Sequence, residues 1–190
     1  MSSWPGRAWA AGAIALAACG GDGAVEPGEP DAAVGSAELI LGGASADGSG
    51  FTPVEDGDDV TLIGGAQGGF HVWTGLRVRG AAGRLHLERQ TRRQSDDKLV
   101  LRASTAVVEI PIQSGDGWWE LPDGDERDAL PSFMCPTPIG IRVRDETLVI
   151  RAQLLDEDDR LLDEDTLTLV PRCPVDDAGE AEFCAEICSG

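Results

Sequence analysis

Short runs of alternating apolar and polar residues, broken by glycine and aspartate, restrict this chain more than any other feature, because a period of two does not fit a helix. Between Val72 and Val78, the residues Val72, Thr74, Leu76 and Val78 share one face, and Trp73, Gly75 and Arg77 share the other. Leu85 and Leu87 alternate with Arg84, His86 and Glu88, and Leu148, Ile150, Ala152 and Leu154 alternate with Thr147, Val149, Arg151 and Gln153. Runs at 37–41, 60–63, 70–73 and 99–112, the pattern Ile139, Ile141, Val143, and a closing stretch at 166–170 complete the set. Asp56-Gly57-Asp58, Gly80-Ala81-Ala82-Gly83, Asp116-Gly117 and Pro122-Asp123-Gly124 supply turn chemistry between them. About seven to eight strands spaced every 8–12 residues predict an all-β fold, an antiparallel β-sandwich. Only 176–187 reads as a short helix.

The first 18 residues stand apart from this pattern. One positive side chain, Arg7, precedes an apolar stretch from Ala8 to Ala18, and small residues lead to a cysteine. That is the layout of a secretory signal, and it is shorter than the about 20 apolar residues a membrane-spanning helix needs. Leu16-Ala17-Ala18-Cys19 resembles the lipobox of bacterial lipoproteins. The resemblance implies that residues 1–18 are removed and that Cys19 is acylated. It also implies a lipid anchor in the cell envelope, at the outer membrane because Gly20 rather than Asp follows. Residues 19–36 contain almost no bulky apolar side chain and read as a disordered tether. The expected domain is 37–172, followed by a cysteine-bearing tail at 173–190. Within it, 139–170 resembles the last hairpin of an immunoglobulin-like or fibronectin-like module, and Gly68-Gly69-Phe70-His71-Val72-Trp73 is similar to a segment of bacterial lipoproteins.

Cys135, Cys173, Cys184 and Cys188 are an even set, and in an oxidising compartment they read as two disulfides with three possible connectivities. The expected pairing is Cys135–Cys173 and Cys184–Cys188. A zinc site competes poorly, since tight Cys-x2-Cys pairs are absent.

The chain carries 34 acids against 15 Lys and Arg, for a formal charge of −19. Such a surface repels phosphate backbones, so nucleic acid is excluded as a partner. Eight of the bases lie between Arg77 and Arg102. They are expected to pair with acids across strands; an anion-binding strip is the alternative.

Several constellations bear on chemistry. Leu154-Leu155-Asp156-Glu157-Asp158 recurs as Leu161-Leu162-Asp163-Glu164-Asp165. Asp156, Asp158, Asp163 and Asp165 are therefore candidate Ca²⁺ ligands, although the EF-hand glycine and spacing are missing and a plain charged turn also explains them. Glu55-Asp56-Gly57-Asp58-Asp59 invites the same reading. His71 and His86, the only histidines, are candidate transition-metal ligands. Gly64 to Gly69 leads into a strand rather than a helix, which argues against a phosphate cradle. Gln67, His71 and Trp73 beside that loop are the first place to look for a ligand, and Trp118-Trp119 is a candidate sugar platform or a strand pair facing opposite ways. No Gly-x-Ser-x-Gly is present. The expectation is a lipid-anchored, non-enzymatic domain that has a structural role or binds an envelope or surface protein, with no resident cofactor; the alternative is a binding protein for a metal ion, Ca²⁺ included, or a small ligand.

Overall fold

The computed structural model describes residues 37–112, 117–122, 129–137 and 140–190. The expected signal segment, Cys19, the tether and Ile139 lie outside the described residues. Eleven strands are assigned there: β1 (Glu38–Ala44), β2 (Phe51–Thr52), β3 (Asp58–Thr61), β4 (Ile63–Gly64), β5 (Phe70–Arg79), β6 (Gly83–Arg93), β7 (Leu99–Ile110), β8 (Trp119–Leu121), β9 (Leu130–Cys135), β10 (Leu148–Leu155) and β11 (Leu161–Arg172). One helix, α1 (Ala178–Ile187), follows, with Asp177 as its N-cap accepting from Glu180 N at 2.9 Å.

The strands form two sheets. In the first, β5 is central: His71 pairs with both Ile63 and Phe133, and Val78 with both Leu39 and Trp119. Strands β1 and β4 thus occupy one edge of β5, and β9 and β8 the other. The second sheet has the order β3-β11-β10-β6-β7. Its ladders are antiparallel except that β3 lies parallel to β11.

The alternation read from the sequence places the core. Val72, Thr74, Leu76 and Val78 are buried, as are Leu85, Leu87, Leu148, Ile150, Ala152 and Leu154, and the two inner faces merge into one hydrophobic cluster. Each fully buried Leu or Ile contributes about 1.5–3 kcal/mol. The expected sandwich is present, with more strands than expected and one parallel pairing.

Three local differences have physical causes. First, β11 begins at Leu161, not at 166. Its acidic half pairs with β10 in register, Leu154 opposite Asp163 and Ala152 opposite Asp165. Second, Ile141 and Val143 are buried without being in a strand. Their neighbourhood bonds to other segments: Val143 N donates to Cys188 O at 3.1 Å, and Asp145 N donates to Pro171 O at 3.0 Å. Third, β2 was invisible because it is two residues long and holds its place by packing. Its Phe51 ring lies over Gly42 and Gly75, where a Cβ on Gly42 would stand 2.6 Å from the ring. The guanidinium of Arg77 covers that ring at 4.4 Å.

Among the buried polar residues, one is an arginine. Arg89 lies in the inward phase of β6, 6 % exposed, and its Nη1 donates to Thr74 Oγ1 at 2.6 Å and to Ser132 Oγ and Leu130 O at 3.3 Å. It bridges the sheets without a carboxylate among the described residues, and burial pulls its pKa down to about 10. At neutral pH it remains charged.

Candidate functional site

A cleft of about 330 Å³ is lined by residues of β1 to β5 and the segments that join them. Val54, Val60 and Ile63 provide apolar lining, Trp73 provides an indole, and Asp58 and Asp59 provide carboxylates. Trp73 is there because it holds the outward phase of β5, beside His71 at a ring-centroid distance of 4.5 Å in an edge-on arrangement. Its Nε1 donates to Ala46 O at 3.1 Å. Gly48 has φ +82°, and a Cβ there would stand 3.3 Å from the indole, so the turn at 45–49 rests directly on the ring.

The acidic loop beside the cleft is held by its own carboxylates. Asp56 Oδ1 accepts from Thr168 N at 2.7 Å and Thr168 Oγ1 at 2.8 Å, and these bonds, the backbone one foremost, keep its pKa below the ordinary carboxylate value. Asp58 Oδ2 accepts from Glu55 N at 2.9 Å. Asp59 Oδ1 accepts from Arg172 Nε at 2.9 Å, while Arg172 Nη1 donates to Asp145 Oδ1 at 2.6 Å. The Arg172 bond is the main reason Asp145 titrates below its usual range.

The expected ligand neighbourhood is partly assembled. His71 is 5 % exposed, and loss of hydration lowers its pKa. The turn Gly65–Gly69 closes over it, with Gly65 N donating to Gly69 O at 2.7 Å and a Gly65 Cβ position 3.5 Å from His71 Nδ1. Gln67 stands exposed at the tip of that turn and does not line the cleft. Trp119 packs against the core, whereas Trp118 lies under the Arg79 guanidinium at 4.6 Å. The two indoles face opposite ways and make no common platform.

The metal reading is corrected. His71 belongs to the first sheet and His86 to the second, where His86 Nδ1 lies 2.9 Å from Asp159 Oδ1. Asp156 and Asp158 bond Arg160, and Asp156 Oδ1 also accepts from Asp158 N and Arg160 N at 2.9 Å. Asp163 Oδ2 and Asp165 Oδ2 face elsewhere, accepting from Leu39 N and Leu41 N at 2.7 Å each. No group of three His, Cys, Asp or Glu residues suited to a metal ion forms among the described residues. The reason is that the two halves of the acidic repeat lie on either side of a tight turn and serve different backbone donors.

Part of the expected cross-strand pairing is present: Arg77 meets Glu120 at 2.6 Å and Arg79 pairs with Glu38. Arg93 and Lys98 instead share Asp96 in the β6–β7 turn, at 2.6 and 3.2 Å.

The disulfide pairing also differs from expectation. Cys135 bonds Cys188 and Cys173 bonds Cys184, with Cα separations of 5.1 and 5.8 Å. The cause is α1: a Cys-x3-Cys spacing on a helix puts both thiols on one side, facing the sandwich, where each meets a different strand end. The tail is thereby fixed to β9 and to the end of β11, and Phe183 packs on Phe70 at 6.0 Å.

Sequence reading missed Arg89, Phe51 and the role of Asp163 and Asp165. Phase was the available signal, since Arg89 follows Leu85 and Leu87 at intervals of two, and Asp163 and Asp165 precede Leu167 and Leu169 in the same way. No protein-family model matches this chain, and no curated protein does either.

Proposed function

We propose that this chain is a lipid-anchored protein of the bacterial cell envelope. Cys19 carries the lipid, residues 19–36 form a leash, and a non-enzymatic, immunoglobulin-like sandwich binds a partner or has a structural role at the envelope. The observation that carries this reading is the use of cysteine. All four cysteines beyond Cys19 are consumed in two disulfides, as expected of a chain folded in an oxidising space. The fifth sits behind a signal-like segment where only acylation gives it a role. The cleft at Trp73 is the binding face of choice: its apolar lining and the indole suit an apolar group. It also favours the second reading, a binding protein for a small ligand.

Fractionation of cells producing the full chain and a Cys19→Ala variant tests the anchor. The parent is expected in the membrane fraction with an N-terminal mass matching an acylated Cys19, and the variant in the soluble fraction. Equal partitioning of the two would remove the reading.

A further inference from the structure

Cys184 and Cys188 lie one turn apart at the C-terminal end of α1, and both are fully buried. Their sulfurs are 3.9 Å apart although each is bonded elsewhere. Thiol–disulfide exchange needs a thiolate within reach of a disulfide sulfur, and here each bond holds the nucleophile that can open the other. Accessibility gives the process a direction. Cys173 is partly exposed, whereas Cys135 is 3 % and Cys184 and Cys188 are 0 % exposed. An external thiolate therefore attacks Cys173 Sγ, and the leaving group is the Cys184 thiolate, already beside Cys188.

We propose that the four cysteines form an exchange-coupled redox site: a small dithiol opens Cys173–Cys184, the bond migrates to Cys184–Cys188, and α1 is released from both sheets. In the first step the dithiol bonds Cys173 Sγ and the Cys184–Cys173 bond breaks, with its electron pair going to Cys184. In the second, Cys184 Sγ⁻ bonds Cys188 Sγ, the Cys135–Cys188 bond breaks, and Cys135 leaves as thiolate and takes a proton. The second thiol of the reductant then displaces Cys173. One dithiol becomes a cyclic disulfide, one protein disulfide is lost, and Cys135 and Cys173 end as thiols.

Geometry favours the middle step. The two sulfurs close from 3.9 Å to a bond of about 2 Å, and Cys188 is the C-cap, with φ −96° and ψ 5°, its N–H on Cys184 O and its carbonyl accepting from Val143 N and Arg144 N, so that both sulfurs are held side by side. Before exchange the tail is tied to β9 through Cys135 and to the end of β11 through Cys173. Afterwards neither tie exists, and the cover that Phe183 gives to Phe70, which is 1 % exposed, depends on noncovalent contact alone. The site is independent of Cys19 and of the cleft.

The test is partial reduction of the intact chain with equimolar dithiothreitol, followed by rapid alkylation at low pH and peptide mapping. The expected two-thiol species carries label on Cys135 and Cys173 and retains a Cys184–Cys188 bond. A two-thiol species labelled on Cys173 and Cys184, with Cys135–Cys188 kept, would overturn the proposal. A Cys135→Ser variant asks the same question without reductant, because it leaves Cys188 as a thiol beside Cys184. Exchange predicts a Cys184–Cys188 bond and a Cys173 that reacts with maleimide in the native state. Retention of Cys173–Cys184, with Cys188 reacting only after denaturation, refutes it.

Discussion

Replacing Asp163 and Asp165 by alanine addresses a place where carboxylates of the second sheet hold backbone N–H groups of the first. Leu39 N and Leu41 N point away from β5, and without the carboxylates at 2.7 Å they are strand-edge donors with no ladder partner. A hydrogen bond to a charged group contributes about 1.5–3 kcal/mol when intact. Partial exposure at this edge lowers that, so each single substitution is expected to cost about 1–2 kcal/mol and the pair about 2–4. For a domain of this size, 1 kcal/mol moves Tm by about 2–4 °C, so the double variant should melt roughly 4–16 °C lower. Asp→Asn at both positions keeps an acceptor and should lose about half as much. Asp158→Ala, an exposed turn residue paired with Arg160, should stay within about 0.5 kcal/mol of the parent. Calorimetry with disulfides intact measures these shifts, and light scattering reports whether the uncapped edge recruits a second chain. A double alanine variant that melts with the parent would show that the carboxylates contribute nothing to holding β1, and the reasoning would be wrong.

Four further outcomes are expected. Arg89→Met, which replaces a buried charge with no carboxylate partner among the described residues by an apolar chain of similar length, should be neutral or stabilising. By contrast, Thr74→Val, which strips the charge of its shortest acceptor, should cost about 1–3 kcal/mol in urea unfolding. His71 has a folded pKa below its unfolded value near 6.5, so the unfolded chain takes up a proton that the folded chain refuses. Stability is therefore complete above about pH 6.5 and falls as pH drops through the unfolded pKa toward the folded one, and His71→Gln should flatten that part of a Tm-against-pH curve. Gly75→Ala should destabilise by about 1–3 kcal/mol, because its Cβ would stand 2.5 Å from Gly43 O and 3.1 Å from the Phe51 ring; an unchanged Tm would contradict the packing of β2.

The sequence by itself determined the elements whose side chains obey a period of two: β5, β7, β10 and the first half of β6 could be read within a few residues, since burial of one face writes the pattern directly. It also determined that the cysteines would pair, while for Trp118 and Trp119 it left a shared platform and opposed faces both open. Only the tertiary structure decided which cysteines meet, because partners 53 and 11 residues apart are set by where the helix docks and not by spacing. It alone decided that Asp163 and Asp165 cap an edge strand 124 residues away, although alone they look like cation ligands. His71 and Trp73 were legible as neighbours on one strand, but the cleft that Trp73 lines is assembled from five strands, β1 to β5, and the segments after β1 and β2. Local pattern reports the burial of a residue's own strand; partners distant along the chain are chosen by packing, and packing leaves no local trace.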